Sequence, residues 1–394
     1  MNIAIVCPAS LPATQFGGIL FLGVDIASEL SNQHNQVTIY TTDLDFANNA
    51  KTFNKKLPRK ELVDKFTINR SHVWFRVGLF FVNPNIYFEM MKHDHEIIHT
   101  IGVRSFQSLI AAIVAKKKKI PFVISDQGGL TTHPDLVNNS LPRKILYKLQ
   151  SPLIKFVINR ATKIIAANEY EKKIFQQFCN ESKITIIQNG INLEKITQSN
   201  FSFKEKYKIN SPFVLFIGRF NKIKGIDVLL RAISVIKSDP HVENIRFVVM
   251  GVDFGFEKEM TLMISELKLT DKITVIKKPP REDVIAAYRE CEFLVLPSRW
   301  ELSPLTPLEG FVFKKTVIST KAHGIPYTLT NEKDSILVEP DNHKSLASAI
   351  IQLVVDVEKR KSLGLAGFEL VKNKLNSKLM ALNTMKVYQQ IVKE

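Results

Sequence analysis

The sequence predicts an α/β protein made of two doubly wound parallel-sheet domains that face a cleft. Three observations lead to this class. Short runs rich in β-branched residues alternate with longer helical patterns, the alternation stops at the polar stretch 195–212, and it restarts in a second half of nearly equal length. Because domains hold about 150 residues each, a chain of 394 residues also fits two of them.

The first half is predicted to form a domain over residues 1–200. Its buried strands are expected at 2–7, 36–40, 96–100, 120–125, 163–167 and 184–187. Apolar runs of this length, separated by segments long enough for a helix, are typical of βαβ units in a parallel sheet. Ligands of such sheets bind outside the carboxyl ends of the strands, so the residues after each strand are the candidates for function.

The second half is predicted to form a domain over residues 201–375, followed by a helical segment at 376–394. The break Asn210-Ser211-Pro212 comes directly before it. Its strands are expected at 213–217, 246–250, 273–276, 293–296 and 316–319, each followed by a helical stretch.

Composition narrows the classes of partner. Lys and Arg outnumber Asp and Glu by 54 to 38, a formal charge of +16, which favours nucleic acid, an anionic membrane surface or a phosphorylated substrate. The three cysteines stand far apart and form no CxxC pair, which favours a reducing compartment. Because we find neither a signal peptide nor an apolar run of about 20 residues, we expect a cytoplasmic protein, soluble or bound to a membrane surface.

Two loops after strands are candidates for phosphate binding. Gly17-Gly18 precedes a helical stretch, where backbone amides can approach a phosphate, although a plain turn is an equal alternative. In the second half, Arg219 and Lys224 stand between a strand end and a helix start. Two fixed cations there could hold a diphosphate without a metal ion; the alternative is two solvated basic residues in a loop.

A third candidate follows the strand at 293–296. Glu301 and Glu309 flank the start of a helix, and their carboxylates can accept hydrogen bonds from sugar hydroxyls. The amides of Leu305 and Thr306 can face a phosphate at that helix start. The alternative is that Glu309 only complements the helix dipole and that Glu301 is solvated.

Taken in order, these motifs resemble the retaining nucleotide-sugar glycosyltransferases of family 4, which have the GT-B fold of two Rossmann-like domains. The resemblance covers nearly the whole chain. The segment 216–230 resembles the family's GR…KG-[IV]-D-x-L-L signature, and Glu301 to Glu309 matches its E-x7-E motif. The other residues that carry the resemblance are Gly17-Gly18, Gln188-Asn189-Gly190-Ile191-Asn192, Arg360, Leu363, Gly364, Gly367 and Tyr388.

The resemblance implies an enzyme that moves a sugar from a nucleoside-diphosphate sugar to a lipid-linked, phospholipid or glycan acceptor, with retention and without a metal ion or other cofactor. Arg219 and Lys224 would hold the donor diphosphate. Glu309 would bind the ribose and Glu301 the transferred sugar. The first domain would take the acceptor, and the last helix would cross back onto it. The backbone amides that would face the donor are those of Gly17, Gly18, Leu305 and Thr306.

One departure from the family concerns the acceptor side. Where the family often has a histidine before a glycine, this chain has Gln127, which can form hydrogen bonds but cannot act as an acid or a base. His133 lies six residues further on and could compensate. His99 could point into the cleft because it ends a parallel strand.

Two groups of residues have the composition of a metal site without its pattern. Asp43-Leu44-Asp45 has the DxD form, but no second cluster of ligands accompanies it. The polar residues between His93 and His99 are better explained by a surface loop before a strand. The sequence therefore predicts no metal site.

A basic amphipathic stretch at 141–160 carries five Lys or Arg residues and no acid, and Lys116 to Lys119 form a second basic cluster. Such a helix can lie on an anionic membrane, which makes peripheral membrane binding a further expectation. The alternative is an ordinary helix packed on the first domain with a solvated basic face. Pro142 is expected in its first turn, and Pro152 is expected to kink or break it.

Other functions stay open at this point. A nucleotide-sugar epimerase or a phosphorylase would share the fold. A non-catalytic nucleotide-sugar-binding protein is suggested by Gln127. Nucleic-acid binding is suggested by the charge, but it is disfavoured because most Phe residues lie in apolar strands and helices rather than among Lys and Arg.

Overall fold

The chain folds into two compact units. The structure, a computed structural model, describes residues 1–45, 52–128, 130, 141–196 and 201–393, with the side chains of residues 15 and 141–149 excepted. Unit 1 comprises Met1–Asn189 and Ser377–Glu394, and unit 2 comprises Gly190–Asn376. The division falls before the boundary expected at residue 200. The predicted class, two doubly wound parallel-sheet α/β domains, is confirmed.

Unit 1 is built on a parallel sheet. Its described strands are β1 (Asn2–Val6), β2 (Gln36–Thr42), β3 (Lys60–Val63), β4 (Phe66–Ser71), β5 (Phe75–Val77), β6 (Phe80–Val82), β7 (Ile97–Ile101), β8 (Phe122–Ser125), β9 (Lys163–Ala166) and β10 (Ile184–Ile186). The sheet has the order β10-β9-β8-β7-β1-β2-β4-β3, and β5 and β6 form a separate antiparallel hairpin. In the register of the central strands, Ile3 pairs with Val37 on one side and with Ile97 on the other. Across the sheet, the seven parallel strands β4, β2, β1, β7, β8, β9 and β10 follow the doubly wound order. Strand β3 is added antiparallel to β4 at one edge.

Helices cover the sheet of unit 1. They are α1 (Gly18–Asn32), α2 (Asn85–Lys92), α3 (Phe106–Lys118), α4 (Leu141–Arg160) and α5 (Glu169–Phe175). Side-chain caps begin two of them, because Ser105 accepts a hydrogen bond from the amide of Ser108 and Asn168 accepts one from the amide of Glu171. No helix among the described residues is long and apolar enough to cross a bilayer.

Of the kink or break expected at Pro152, the break is wrong, because helix α4 continues through that residue. Its second half buries Ile154, Val157 and Ile158 and packs against α3. Burial of this apolar face offsets the hydrogen bond that a proline removes from a helix. The second half of α4 is therefore a packed helix, while Lys155 is exposed.

Unit 2 repeats the same architecture. Its described strands are β11 (Phe213–Ile217), β12 (Arg246–Gly251), β13 (Ile273–Lys277), β14 (Leu294–Val295), β15 (Val317–Thr320) and β16 (Ser335–Val338). They are parallel in the order β13-β12-β11-β14-β15-β16. Its helices are α6 (Leu193–Ile196), α7 (Phe203–Tyr207), α8 (Ile226–Ile236), α9 (Glu257–Glu266), α10 (Arg281–Glu290), α11 (Thr306–Val312), α12 (His343–Val355) and α13 (Val357–Asn373).

The last helix, α14 (Ser377–Lys393), belongs to unit 1 and packs against α1. At its start, the hydroxyl of Ser377 donates a hydrogen bond of 2.6 Å to the carboxylate of Glu29. Further along, the buried hydroxyl of Tyr388 lies 2.6 Å from Nδ1 of His99 in β7. These buried polar contacts fix the register of α14 on unit 1.

Candidate active site

The loop between β11 and α8 of unit 2 carries Lys224 at the carboxyl end of the sheet. Asn221 caps a short 3₁₀ turn at Lys222–Lys224 by accepting a hydrogen bond from the amide of Ile223. Gly225 then adopts a left-handed φ of 67°, and a Cβ atom there would lie 2.0 Å from the carbonyl oxygen of Pro297. Only glycine fits, so this loop lies directly against the loop after β14.

The loop after β14 brings Glu301 to Lys224. The ammonium group of Lys224 donates a hydrogen bond to Oε1 of Glu301, and the hydroxyl of Ser298 donates a second one of 3.1 Å to the same oxygen. The side chains of Lys224 and Glu301 are 20% and 17% exposed. The cation and the carboxylate that the sequence assigned to the diphosphate and the sugar therefore form one ion pair.

Arg299 fixes this second loop on α8. Its guanidinium group donates two hydrogen bonds of 2.7 Å to the carboxylate of Asp227, and its Nε donates one of 2.6 Å to Asp341. Although burial opposes ionisation of Asp227, the Arg299 guanidinium lowers the pKa of that carboxyl group. These bidentate hydrogen bonds anchor the loop that carries Glu301, two residues away.

An open, shallow pocket lies where these loops meet. Its wall combines the Lys224–Glu301 pair with the start of α11, where the first amides of a helix have no partner within that helix. Such a wall offers a cation, a carboxylate, hydroxyls and helix-end amides within one concave surface. The lining residues are Phe216, Ile217, Lys224, Leu296, Ser298, Glu301, Pro304, Thr306, Pro307 and Ser319.

Glu309 sits in α11 at the centre of a buried hydrogen-bond network. Arg281 donates to both of its carboxylate oxygens, at 3.2 and 2.5 Å, and the hydroxyl of Tyr288 donates at 2.7 Å. Burial, followed by the nearby Glu309 carboxylate, raises the pKa of the Tyr288 hydroxyl well above its ordinary value. Sequence reasoning missed Arg281 and Tyr288. Their spacing of seven residues puts them on one face of α10 and could have indicated a shared partner.

Arg219 lies beside the end of β12. Its guanidinium carbon is 5.0 Å from the ring centroid of Phe254, in cation–π geometry. This contact places the guanidinium near the carboxyl end of the sheet of unit 2. Neither Arg219 nor Glu309 is among the described residues that line the pocket.

In unit 1, the loop after β8 contains Gln127 in a left-handed conformation with a φ of 58°. Its side-chain amide forms a reciprocal pair with that of Asn189, with N–O distances of 3.0 and 2.8 Å. Its backbone amide donates a hydrogen bond of 3.0 Å to the buried carboxyl group of Glu171. Burial, followed by the Asp126 charge, raises the pKa of Glu171 to about 8. Gln127 is thus held by three hydrogen bonds to two residues, Asn189 and Glu171, at the carboxyl ends of the strands.

The other acceptor-side candidates have different outcomes. His99 is fully buried, and its ring nitrogens lie 2.6 Å from the hydroxyl of Tyr388 and 2.9 Å from that of Ser125. Because both nitrogens have protein partners, we do not retain His99 as an acceptor contact. His133 lies outside the described residues. Gly17 has a φ of 102° at the start of α1, which requires glycine.

The residues weighed as metal ligands have protein partners. Asp43 contacts Nδ1 of His72 at 2.5 Å and accepts a hydrogen bond from the amide of Val73. Asp45 accepts a hydrogen bond of 2.9 Å from Asn54. In the part of the chain that the structure describes, no three His, Cys, Asp or Glu side chains are grouped so as to hold a metal ion.

The polar cluster before β7 is a structural network. Nε2 of His95 lies 3.0 Å from the hydroxyl of Tyr40, and Glu96 accepts a hydrogen bond of 2.6 Å from the amide of Asn2. Burial, followed by the neighbouring His93, lowers the pKa of His95 to about 4. These contacts tie the start of β7 to β1 and β2.

Family models match both halves of the chain. Residues 16–195 match the model of Glycosyltransferase Family 4, and residues 197–369 match that of Glycosyl transferases group 1. The capsular polysaccharide biosynthesis glycosyltransferase CapM of Staphylococcus aureus is 27% identical over 340 residues, 78% of this chain and 88% of CapM.

Solved structures show the same fold over the whole chain. Anabaena HepE in complex with UDP and glucose superposes with a TM-score of 0.76 at 16% identity, covering 99% of both chains. A glycosyltransferase from Rickettsia africae gives a TM-score of 0.72 at 21% identity, covering 100% of this chain and 99% of its own. The chain is therefore a glycosyltransferase of the GT-B fold, with a family 4 domain in its first half and a group 1 domain in its second.

Proposed function

We propose that this enzyme transfers a sugar from a nucleoside-diphosphate sugar, held by unit 2, to an acceptor held by unit 1. The observation that carries the donor assignment is the pocket of unit 2, where Lys224, Glu301 and the start of α11 converge. HepE, which shares the fold, was solved with UDP-glucose, and this supports a nucleotide sugar as donor class. A thermal-shift panel of UDP-, GDP- and ADP-sugars tests it, because a ligand at about 100 times its dissociation constant adds about 2.7 kcal/mol of stability.

We assign the donor contacts as follows. Arg219 and Lys224 neutralise the diphosphate, whose negative charge grows as the glycosidic bond breaks. Glu309 accepts a hydrogen bond from the ribose. Its carboxylate has about four acceptor sites, of which Arg281 and Tyr288 occupy three, so one remains for a hydroxyl. The amides of Gly17, Gly18, Leu305 and Thr306 face donor phosphate and sugar.

Glu301 has a double role in this proposal. It holds Lys224 when the donor is absent. When the diphosphate takes over Lys224, the carboxylate is released to accept hydrogen bonds from the hydroxyls of the transferred sugar. The exchange leaves neither charged group without a hydrogen-bond partner, which lowers the cost of placing them in a partly buried pocket.

We further propose that transfer proceeds with retention and without a metal ion. The support for retention is that the segment from Glu301 to Glu309 resembles the E-x7-E motif. The support for metal independence is the pair of cations and the helix-end amides, which supply the positive field at the leaving group. Proton NMR of the first-formed product tests retention. Activity should persist in EDTA, and a complete loss that Mg²⁺ or Mn²⁺ restores would contradict metal independence.

For the acceptor we propose a lipid-linked, phospholipid or glycan molecule, bound by the enzyme at the cytoplasmic face of a membrane. The charge of +16 favours an anionic surface. The relative CapM is named for capsular polysaccharide biosynthesis, which is consistent with a glycan product. Binding to anionic vesicles should fall as salt rises. It should also weaken when Lys144, Lys148 and Lys155 are changed to Glu, and equal binding to neutral and anionic vesicles at low salt would contradict it.

A further inference from the structure

Unit 1 presents an exposed apolar surface on the β5–β6 hairpin. The side chains of Trp74, Phe75, Val77 and Leu79 are 64%, 58%, 52% and 53% exposed. Among the described residues, no other stretch of six exposes as many large apolar side chains. Large apolar side chains exposed together in one short segment mark a site of contact with a membrane or another protein. We call residues 74–82 the apolar hairpin.

The apolar hairpin is anchored at its base rather than loose. Phe81 is fully buried, and its ring centroid lies 5.2 Å from that of Phe53 and 6.4 Å from that of Phe16. The amide of Gln107 donates hydrogen bonds of 2.8 Å to the carbonyl of Phe81 and of 2.7 Å to the side chain of Asn83. The exposed side chains are therefore held outward by a fixed support.

This support lies at the carboxyl ends of the parallel strands of unit 1. Strands β4, β2, β1, β7 and β8 are all parallel, so their carboxyl ends lie along one edge. The hairpin follows the end of β4, and its anchors Phe16 and Gln107 belong to the segments that follow β1 and β7. The same edge carries Gln127 after β8. The apolar hairpin thus stands on the edge to which we assign the acceptor.

The chemistry of the hairpin favours a lipid surface. Residues 65–88 contain no Asp or Glu, Arg76 lies within the hairpin, and the chain carries a charge of +16. Trp and Phe are enriched where proteins enter the head-group region, and nearby cations add attraction to anionic lipids. A glycan-binding surface would need several polar groups beside the aromatic rings, whereas residues 74–79 offer one polar side chain, that of Arg76, and Val77 and Leu79 offer only hydrocarbon.

We propose that the apolar hairpin inserts Trp74, Phe75, Val77 and Leu79 into the surface of an anionic membrane. Unit 1 is then docked with its acceptor edge towards the lipid head groups. The link to a lipid-borne acceptor rests on the proposed function, but the insertion itself does not depend on catalysis.

Tryptophan fluorescence of the full chain tests the insertion directly. The chain has two tryptophans, Trp74 and Trp300, and Trp300 is only 6% exposed. On mixing with vesicles of phosphatidylglycerol and phosphatidylcholine, emission should shift to shorter wavelength, and brominated lipid should quench it. The Trp300→Phe variant, in which Trp74 alone emits, should show the whole effect. Unchanged emission and no quenching in that variant would overturn the proposal.

A matched pair of variants tests the energetics. Val77→Ser with Leu79→Ser should lower partition into these vesicles about tenfold. Val235→Ser with Leu262→Ser, which changes equally exposed apolar residues of unit 2, should leave it unchanged. Equal loss in both pairs, or none in either, would refute the hairpin as the contact.

Two further readouts separate the alternatives. If the hairpin variant instead abolished a self-association seen by analytical ultracentrifugation, the occupant would be a second copy of the chain and the proposal would be wrong. Thermal stabilisation by UDP should be the same in the hairpin variant and the wild type. A failure of membrane insertion is therefore distinguishable from a failure of the proposed transfer reaction.

Discussion

Replacing Glu301 with Gln should tighten nucleoside-diphosphate binding even though it slows sugar transfer. Lys224 donates a hydrogen bond to Glu301, and both side chains are about one-fifth exposed, so a diphosphate must compete with the carboxylate for the same ammonium group. A charged hydrogen bond contributes about 1.5–3 kcal/mol, which partial solvent screening reduces to about 1 kcal/mol here. Since 1.4 kcal/mol is tenfold, we expect UDP to bind about 3–10 times more tightly.

Titration calorimetry of UDP, at low and high salt, measures this effect. The control is Glu332→Gln, which also removes a carboxylate from an ion pair, here with Lys359 at 2.5 Å. Glu332 precedes β16 and therefore lies at the amino ends of the strands, whereas Glu301 lies at their carboxyl ends. That variant should bind UDP as the wild type does. If Glu301→Gln weakened UDP binding as much as Lys224→Ala does, Glu301 would belong to the nucleotide site and the exchange of partners would be wrong.

Other predictions concern the remaining site residues. Glu309→Gln should weaken UDP binding about tenfold and lower the free energy of unfolding by about 1–3 kcal/mol, because Arg281 and Tyr288 lose a charged acceptor; calorimetry and urea unfolding check both. Burial lowers the pKa of His99 from 6.5 to about 3, so its stabilising contribution is complete above pH 6.5 and is lost as the pH falls towards 3. The free energy of unfolding should then fall by up to about 1.4 kcal/mol per pH unit, and His99→Gln should flatten that slope in urea titrations. Gln127→Ala should leave UDP affinity unchanged but slow transfer about tenfold, and equal loss in both quantities would contradict its acceptor-side role.

Much of the fold follows from local sequence patterns. Every strand expected from the sequence is present, with ends within two residues of those observed. Most of these strands are buried on both faces, so they appear as continuous apolar runs that are easy to recognise; the edge strands β10 and β13 are only partly buried. The strands that were not expected are β3 to β6 and β16. Strands β3, β5 and β6 have only three or four residues each, and β5 and β6 form a separate hairpin. Strands β4 and β16 are buried, but Asn69, Arg70 and Ser335 shorten their apolar runs.

The site was predictable only in part. Lys224 and Glu301 could be chosen because each follows a strand, and the structure brings them together although 77 residues separate them in sequence. Other contacts of the site depend on tertiary contacts between distant segments. They are the bidentate hydrogen bonds from Arg281 to Glu309 and the amide pair of Gln127 with Asn189. The spacing of Arg281 and Tyr288 could indicate a shared partner, but no local pattern identifies which distant residue that partner is. His99 shows the reverse case, because the residue expected at a strand end lies in the middle of β7, where Tyr388 of the last helix covers it.

The central claim is that Arg219 and Lys224 stabilise the departing nucleoside diphosphate. The most direct test is kcat/KM for release of the diphosphate from the donor sugar identified by the thermal-shift panel, measured for the wild type, Arg219→Ala and Lys224→Ala. Each variant should fold normally and lose roughly 2–4 kcal/mol of transition-state stabilisation. Values within a few-fold of wild type in both variants would contradict the account.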